Sequence, residues 1–136
     1  MQPLKTYIVE DSQVIRDSLI ATLEELVPVS VVGTADTEIG AVHWLSNLDN
    51  QVDLLIIDIF LKTGSGLGVL RAAQRLDGDR TVVVLSNYAT ADIRRKCLEL
   101  GANRVFDKSN EIDALISYCD ALARGDTAGA ALAPLP

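Results

Sequence analysis

The chain has 136 residues, of which 49% are hydrophobic and 23% charged, and this balance suits one globular domain with an aliphatic core. Nineteen Asp and Glu residues against 12 Lys and Arg give a net charge of −7. This excess of negative charge argues against binding of nucleic acid or acidic membranes by the domain. The sequence lacks a signal-peptide pattern, and its apolar runs are too short to cross a bilayer, so we expect a cytoplasmic protein.

Apolar runs alternate with helical patterns five times, which is typical of an α/β fold with a parallel sheet covered on both faces. The predicted strands are, in chain order, Leu4 to Val9, Val29 to Thr34, Val52 to Asp58, Thr81 to Leu85 and Arg104 to Phe106. The predicted helices are Ser12 to Leu26, Glu38 to Leu48, a third that follows the loop of Gly64, Ser65 and Gly66 and ends at Leu76, then Thr90 to Gly101 and Ile112 to Leu122. Five such units favour a doubly wound sheet of flavodoxin-like order 2-1-3-4-5.

Two helices carry clear apolar stripes at helical spacing. The first helix is expected to bury Ile15, Leu19, Leu23 and Leu26, and the last helix Ile112, Leu115, Ile116, Cys119 and Leu122. The two cysteines, Cys97 and Cys119, have no metal-type spacing and are predicted to be reduced core residues.

The last residues have neither periodicity nor enough large side chains to offset the entropy of ordering them. We therefore expect one domain over residues 1–123, followed by a flexible tail or a truncated linker over residues 124–136.

Five polar residues follow predicted strands at the point where each strand ends. They are Glu10 and Asp11 after the first strand, Asp58 after the third, Ser86 after the fourth and Lys108 after the fifth. In an open α/β sheet, ligands bind outside the carboxyl ends of the strands, where the strand order reverses. Three carboxylates, a hydroxyl and an ammonium are therefore expected in one crevice.

The predicted crevice suits phosphoryl transfer to a carboxylate. Crowded carboxylates need compensation, and Mg²⁺ provides it with a preference for oxygen ligands. A carboxylate can accept a phosphoryl group, and Asp58 is preferred because its strand is the most apolar and central. The Ser86 hydroxyl and the Lys108 ammonium can then bind the phosphoryl oxygens.

Four short motifs resemble those of the receiver domain of two-component response regulators, over about Leu4 to Ala123. They are Val9-Glu10-Asp11-Ser12, Ile57-Asp58-Ile59 with Gly66-Leu67 downstream, Leu85-Ser86-Asn87, and Gly101-Ala102 leading to Asp107-Lys108. The resemblance implies that Asp58 is phosphorylated by a histidine kinase or a phosphotransfer protein. It also implies that Mg²⁺ is bound directly by Asp11 and by Asp58, through water by Glu10, and by the backbone carbonyl of Phe60.

The resemblance further implies a signalling switch rather than an enzyme, assisting only its own phosphorylation and dephosphorylation. Asn87, Tyr88 and Val105 would form the switch region. The altered surface would be the fourth helix, fifth strand and fifth helix, about Thr90 to Ala123, facing a downstream protein, an output domain or a second copy in a homodimer.

Four residues depart from the family pattern. Glu10 stands where the family usually has Asp, Lys62 and Ser109 stand where proline is common, and Val105 stands where Tyr or Phe is usual. Because neighbouring strand residues point to opposite faces, Phe106 does not replace that aromatic ring. The departures predict looser loops and a weaker transmission step.

Two other functions stay open. One is a receiver-shaped scaffold that works without phosphate, which Val105 keeps in play. The other is a haloacid-dehalogenase-like phosphatase, which needs an Asp-x-Asp pair and a capping insert, whereas Glu10 and Asp11 are adjacent and no insert is present. The lone His43 is interpreted as a surface residue, Trp44 as a half-buried packing residue, and the basic turn 94–96 as a solvated face or a docking surface.

Overall fold

Within residues 3–76 and 78–125, which the computed structural model describes, five parallel strands alternate with five helices. The strands are β1 Leu4–Val9, β2 Val29–Ala35, β3 Leu54–Ile57, β4 Thr81–Ser86 and β5 Arg104–Asp107. They form one sheet in the order β2-β1-β3-β4-β5, with all neighbouring pairs parallel. The predicted fold class and strand order are therefore confirmed.

The helices are α1 Gln13–Leu26, α2 Glu38–Ser46, α3 Gly66–Gln74, α4 Ala91–Glu99 and α5 Ile112–Ala123. Short hydroxyl side chains begin four of them. The Ser12 and Thr90 oxygens accept hydrogen bonds from the Ile15 and Ile93 N–H groups at 3.3 and 3.2 Å, and Thr37 and Ser65 cap α2 and α3 in the same way. Such caps satisfy N–H groups that the first helical turn leaves without partners.

Two apolar layers cover the sheet, one on each face. One layer holds Tyr7, Leu55, Val84 and Val105 with residues of α2, α3 and α4. The other holds Ile8, Ile56, Leu85 and Phe106 with residues of α1 and α5. All four residues of β3 are buried because the central strand is covered on both sides.

The predicted apolar stripe of α1 is wrong at its two ends. Leu19 and Leu23 are buried, but Ile15 is 39% exposed and Leu26 is 56% exposed. The helix packs on the sheet through its middle turns, so the side chains of its first and last turns extend past the buried layer. In α5, Leu115 and Cys119 are buried, whereas Ile112, Ile116 and Leu122 are half-buried.

Several helix and strand ends differ from the predicted ends by one or two residues. The second helix stops at Ser46 because the Asn47 side chain accepts a hydrogen bond from the Asp49 N–H at 3.0 Å, forming a turn, and Leu48 is 88% exposed. The fourth helix ends at Glu99, followed by Gly101 at a φ of +102°, which suits glycine at a helix end.

Cys97 and Cys119 are buried and free, as predicted. No helix among the described residues has the length and apolar character needed to cross a membrane. Helix α5 ends at Ala123. Of the flexible tail predicted over residues 124–136, residues 126–136 lie outside the described residues.

Candidate functional site

The pairing of β1 with β3 brings the predicted carboxylates together. Val9 pairs with Ile57, and the Asp58 N–H donates to the Val9 carbonyl at 2.9 Å. The following side chains therefore leave the sheet at the same edge. One carboxylate oxygen from each of Glu10, Asp11 and Asp58 lies within 4.8 Å of the others. We call these three residues the carboxylate cluster.

Lys108 reaches this cluster from the end of β5. Its ammonium donates to Glu10 Oε1 and, at 2.9 Å, to Asp58 Oδ2. The three side chains are nearly inaccessible, with 9% of Lys108, 3% of Glu10 and 7% of Asp58 exposed. One ammonium facing three carboxylates leaves an excess of negative charge, and an all-oxygen donor set of this kind fits Mg²⁺.

Burial and hydrogen bonding act in opposite directions on these groups. Burial raises the pKa of Glu10, although the Lys108 ammonium and the Ser12 N–H act against the increase. Burial alone would lower the pKa of Lys108, but its hydrogen bonds to Glu10 and Asp58 outweigh burial and raise that pKa. Lys108 is therefore charged at neutral pH and compensates part of the cluster.

Asp11 is bound to the loop that follows β3. Its Oδ2 accepts a hydrogen bond from the backbone N–H of Lys62 at 2.7 Å, across 51 positions of sequence. Burial would raise the pKa of Asp11, but this N–H and the neighbouring Glu10 side chain hold it below its usual range. A proline at position 62 would have no N–H to donate, so the sequence departure at Lys62 creates this contact.

Contacts at Gly66 and Ser65 also hold the loop that follows Asp58. A Cβ on Gly66 would lie 2.2 Å from the Asp58 carbonyl oxygen, so only glycine allows this close approach. The Glu38 carboxylate at the start of α2 accepts from the Ser65 N–H at 2.8 Å. The loop is therefore tethered despite lacking the usual proline.

Ser86 ends β4 but does not contact the cluster through any described hydrogen bond. Its fully buried hydroxyl oxygen instead accepts from the Tyr88 N–H at 3.1 Å.

The exposed Tyr88 ring packs edge-on against the half-exposed Phe60 ring, with centroids 5.4 Å apart. Phe60 donates its N–H to Asp58 Oδ1 at 3.1 Å and lines, with Asp11, a cavity of about 390 Å³ beside the cluster.

Val105 and Phe106 lie on opposite faces of β5, as the alternation of strand side chains predicts. Val105 is 3% exposed and packs in the layer of α3 and α4, whereas Phe106 packs on the opposite face against Tyr118. The Asp107 carboxylate accepts from the N–H and hydroxyl of Ser109 at 2.7 and 2.6 Å. These bonds hold the loop where proline is common in the family.

The interpretation of residues 94–96 as one solvated basic face is wrong for Arg94. Arg95 and Lys96 are exposed, but only 20% of the Arg94 side chain is exposed. Its guanidinium donates to the Ala89 carbonyl at 2.8 Å, the Val105 carbonyl at 3.0 Å and Glu111 Oε1 at 2.8 Å. We call Arg94 with these three acceptors the Arg94 clamp. Since residues 94–96 are all basic, the sequence does not indicate which of the three side chains turns toward the interior.

The other singled-out residues of α2 stay outside the site. His43 is exposed on α2, as interpreted from the sequence. Trp44 is half-buried and stacks on Tyr7 with ring centroids 4.0 Å apart. Both positions agree with a packing or surface role.

Comparisons with known proteins agree with this geometry. The family model of the response regulator receiver domain matches residues 6–120. The transcriptional regulatory protein PrrA of Mycobacterium tuberculosis is 31% identical over 112 residues, covering 81% of this chain and 48% of PrrA. The transcriptional regulatory protein YdfI of Bacillus subtilis is 25% identical over 122 residues, covering 90% of this chain and 56% of YdfI.

Solved structures show the same fold. The isolated receiver domain of RcsB from Salmonella enterica serovar Typhimurium, in the presence of the phosphomimetic BeF3⁻, has a TM-score of 0.77 at 22% identity and covers 91% of each chain. A Burkholderia pseudomallei response regulator with a phosphorylated aspartic acid has a TM-score of 0.75 at 20% identity, covering 95% of this chain and 74% of that one.

The chain belongs to the response regulator receiver domain family, and it is a signalling domain of the two-component type. It spans about half the length of the curated relatives it matches.

Proposed function

We propose that Asp58 accepts a phosphoryl group from a histidine kinase or a phosphotransfer protein, and that this chemistry requires Mg²⁺. One observation carries the proposal: Asp58 is a buried carboxylate paired with Lys108 inside the carboxylate cluster. A buried cluster with one cation and an excess of carboxylates is costly unless it serves to bind further positive charge.

Each neighbour has a role consistent with its contacts. Asp11 would bind the metal directly, because only one of its oxygens is engaged by the Lys62 N–H. Both Glu10 oxygens are engaged, by Lys108 and by the Ser12 N–H at 3.0 Å, which supports contact with the metal through water. The Asp58 carboxylate and the Phe60 backbone carbonyl would complete the metal ligands.

In the proposed reaction, an Asp58 carboxylate oxygen attacks the phosphorus atom while the bond from phosphorus to the donor histidine nitrogen breaks. Bound Mg²⁺ would neutralise negative charge on the phosphoryl oxygens. Lys108 is already 2.9 Å from Asp58 Oδ2 and can bind one of those oxygens without leaving the site. Ser86 can bind another if its hydroxyl exchanges the Tyr88 N–H for the phosphoryl group.

The fold and cluster favour this function over the two alternatives. The family match disfavours a haloacid-dehalogenase-like phosphatase, and a scaffold without phosphate would not need the buried pairing of Lys108 with Asp58. A cytoplasmic location follows from the proposed kinase partner. The downstream partner would be an output domain, another protein or a second copy of the chain, meeting the surface of α4, β5 and α5.

Intact-mass spectrometry with Mg²⁺ and acetyl phosphate tests the proposal. The wild type should gain one phosphoryl group, and Asp58→Ala should gain none. Asp92→Ala, which removes an exposed carboxylate on α4, should be labelled like the wild type. Equal labelling of Asp58→Ala, or labelling that persists after chelation of divalent ions, would refute the assignment.

A further inference from the structure

The Arg94 clamp joins three parts of the chain that lie close in sequence to Ser86 and Lys108, the two residues proposed to bind the phosphoryl group. Ala89 lies in the loop between β4 and α4, Val105 lies in β5, and Glu111 begins α5. Glu111 Oε1 also accepts from the Asp107 N–H at 2.9 Å. One half-buried guanidinium therefore holds the loop that follows Ser86 and the turn that carries Lys108.

Arginine suits this position because its planar guanidinium has five N–H donors in a fixed arrangement. Here Nε, Nη1 and Nη2 each reach a different acceptor. A lysine would carry the same charge but would not hold two carbonyls and a carboxylate in these directions. The neighbouring Arg95 has no such role, because it is 68% exposed and pairs on the surface with Asp92.

A path connects Ser86 to the clamp. The Ser86 hydroxyl is bonded to the Tyr88 N–H, so a hydroxyl that turns toward a phosphoryl group releases that bond and changes residues 87–89. The Ala89 carbonyl at the end of this segment is held by Arg94. Val105 and Ala89 also pack in the same apolar layer, where Val105 has no aromatic ring.

We propose that Arg94 is the positioning residue that couples the loop after Ser86 to β5 and to the start of α5. The inference rests on the proposed phosphorylation of Asp58. A change at Ala89 alters the donor geometry of the guanidinium, and the same guanidinium holds the Val105 carbonyl and Glu111. The coupling thus runs through the hydrogen bonds of one α4 side chain.

Amide hydrogen exchange of the full chain tests the proposal, measured with and without Mg²⁺ and beryllofluoride as the phosphoryl mimic. In the wild type, the mimic should change protection at residues 87–89 and at residues 104–115, where residues 107–109 are left out of the comparison because Lys108, which is bonded to Asp58, would contact the mimic directly. In Arg94→Ala, the change at 87–89 should persist and the change at 104–115 should be lost. Arg95→Ala, which removes the same charge from the next residue, should match the wild type.

Arg94→Lys separates the directed hydrogen bonds from charge alone, and it carries the test if Arg94→Ala does not fold by circular dichroism. It should lose the change at residues 104–115 as Arg94→Ala does. A wild-type response at 104–115 in Arg94→Ala or Arg94→Lys overturns the coupling role. Labelling of Asp58 by acetyl phosphate should persist in both variants, so loss of coupling is distinguishable from loss of phosphorylation. A wild type that is labelled at Asp58 but responds nowhere to the mimic overturns the coupling alone, whereas a wild type that is not labelled overturns the proposed function.

Discussion

The carboxylate cluster at the ends of β1 and β3 and the Arg94 clamp beside β4 and β5 hold their loops in different ways. In the cluster, three carboxylates share one ammonium, and the remaining negative charge is available to a cation. In the clamp, one guanidinium donates to two carbonyls and one carboxylate, and the Glu111 carboxylate balances its charge. The first arrangement is suited to binding, and the second is suited to fixing loop geometry.

The departures from the family pattern fall in both regions, and the contacts that replace the usual residues differ. At the cluster, Lys62 and Ser109 replace a rigid ring by hydrogen bonds to Asp11 and Asp107, so both loops stay tethered. At β5, Val105 is fully accommodated in the core but supplies no ring. The compensation there comes from a neighbouring helix, through Arg94.

Lys108→Ala should produce the largest effect, because it removes the only ammonium that contacts Glu10 and Asp58 among the described ion pairs. Leaving one side of a buried ion pair uncompensated costs about 3 kcal/mol of unfolding free energy. Urea unfolding in metal-free buffer measures the loss, and added Mg²⁺ should restore part of it. Lys62→Ala, at an exposed lysine, is the control and should stay near the wild type.

The effect of Lys108 should also depend on pH. The pKa of Lys108 is raised above its ordinary value of 10.5, so its stabilising contribution is complete below pH 10.5 and is lost as pH rises through the higher folded-state value. The stability difference between wild type and Lys108→Ala should therefore shrink in strongly alkaline buffer. A difference that grows with pH would contradict the charge pairing.

Arg94→Ala should have the next largest effect. It leaves the Ala89 and Val105 carbonyls and the Glu111 carboxylate without this donor, and we expect a loss of about 2 kcal/mol in chemical denaturation. Arg95→Ala should cost no more than about 0.5 kcal/mol, since its pair with Asp92 is exposed to solvent. Equal losses of unfolding free energy in the two variants would mean that the buried hydrogen bonds of Arg94 stabilise the fold no more than the surface ion pair of Arg95.

Lys62→Pro tests the contact that the cluster makes with the loop after β3. The variant lacks the N–H that holds Asp11, and loss of a partner that orients a metal ligand should weaken Mg²⁺ binding by about tenfold. Isothermal titration calorimetry measures the affinity. Lys62→Ala keeps the N–H and should bind Mg²⁺ like the wild type, whereas equal weakening in both variants would assign the effect to the lysine charge.

Thr90→Ala should give the smallest effect, and it separates the contribution of the start of α4 from that of the Arg94 clamp. It removes the oxygen that accepts from the Ile93 N–H at the start of α4, at a cost of about 1 kcal/mol. Thermal unfolding should show this loss while the mimic-induced change at residues 104–115 persists. Loss of that change in Thr90→Ala would mean that the helix start, rather than Arg94, carries the coupling.

The order of elements and the edge that carries the chemistry were predictable from the sequence. Runs such as Leu54-Leu55-Ile56-Ile57 indicate a strand covered on both faces. Parallel strands place their carboxyl ends at one edge, so Glu10 and Asp58 had to lie near each other once the order 2-1-3-4-5 placed β1 beside β3. Lys108 starts two strands away from Asp58 and reaches it through its long side chain. The exposed ends of α1 were not predictable, because periodicity shows a face of the helix but not how far the sheet extends beneath it.

Sequence alone therefore determined the fold class, the carboxylate cluster and its match to the receiver family, because these depend on local periodicity and on the rule for parallel strand ends. Only the tertiary structure decided the partners of Lys62 and Arg94. A backbone N–H has no sequence signature, so its pairing with Asp11 depends on where the loop lies. Arg94 and Arg95 differ by about 100° around the helix, and the packing of α4 on the sheet decides which of them faces Val105.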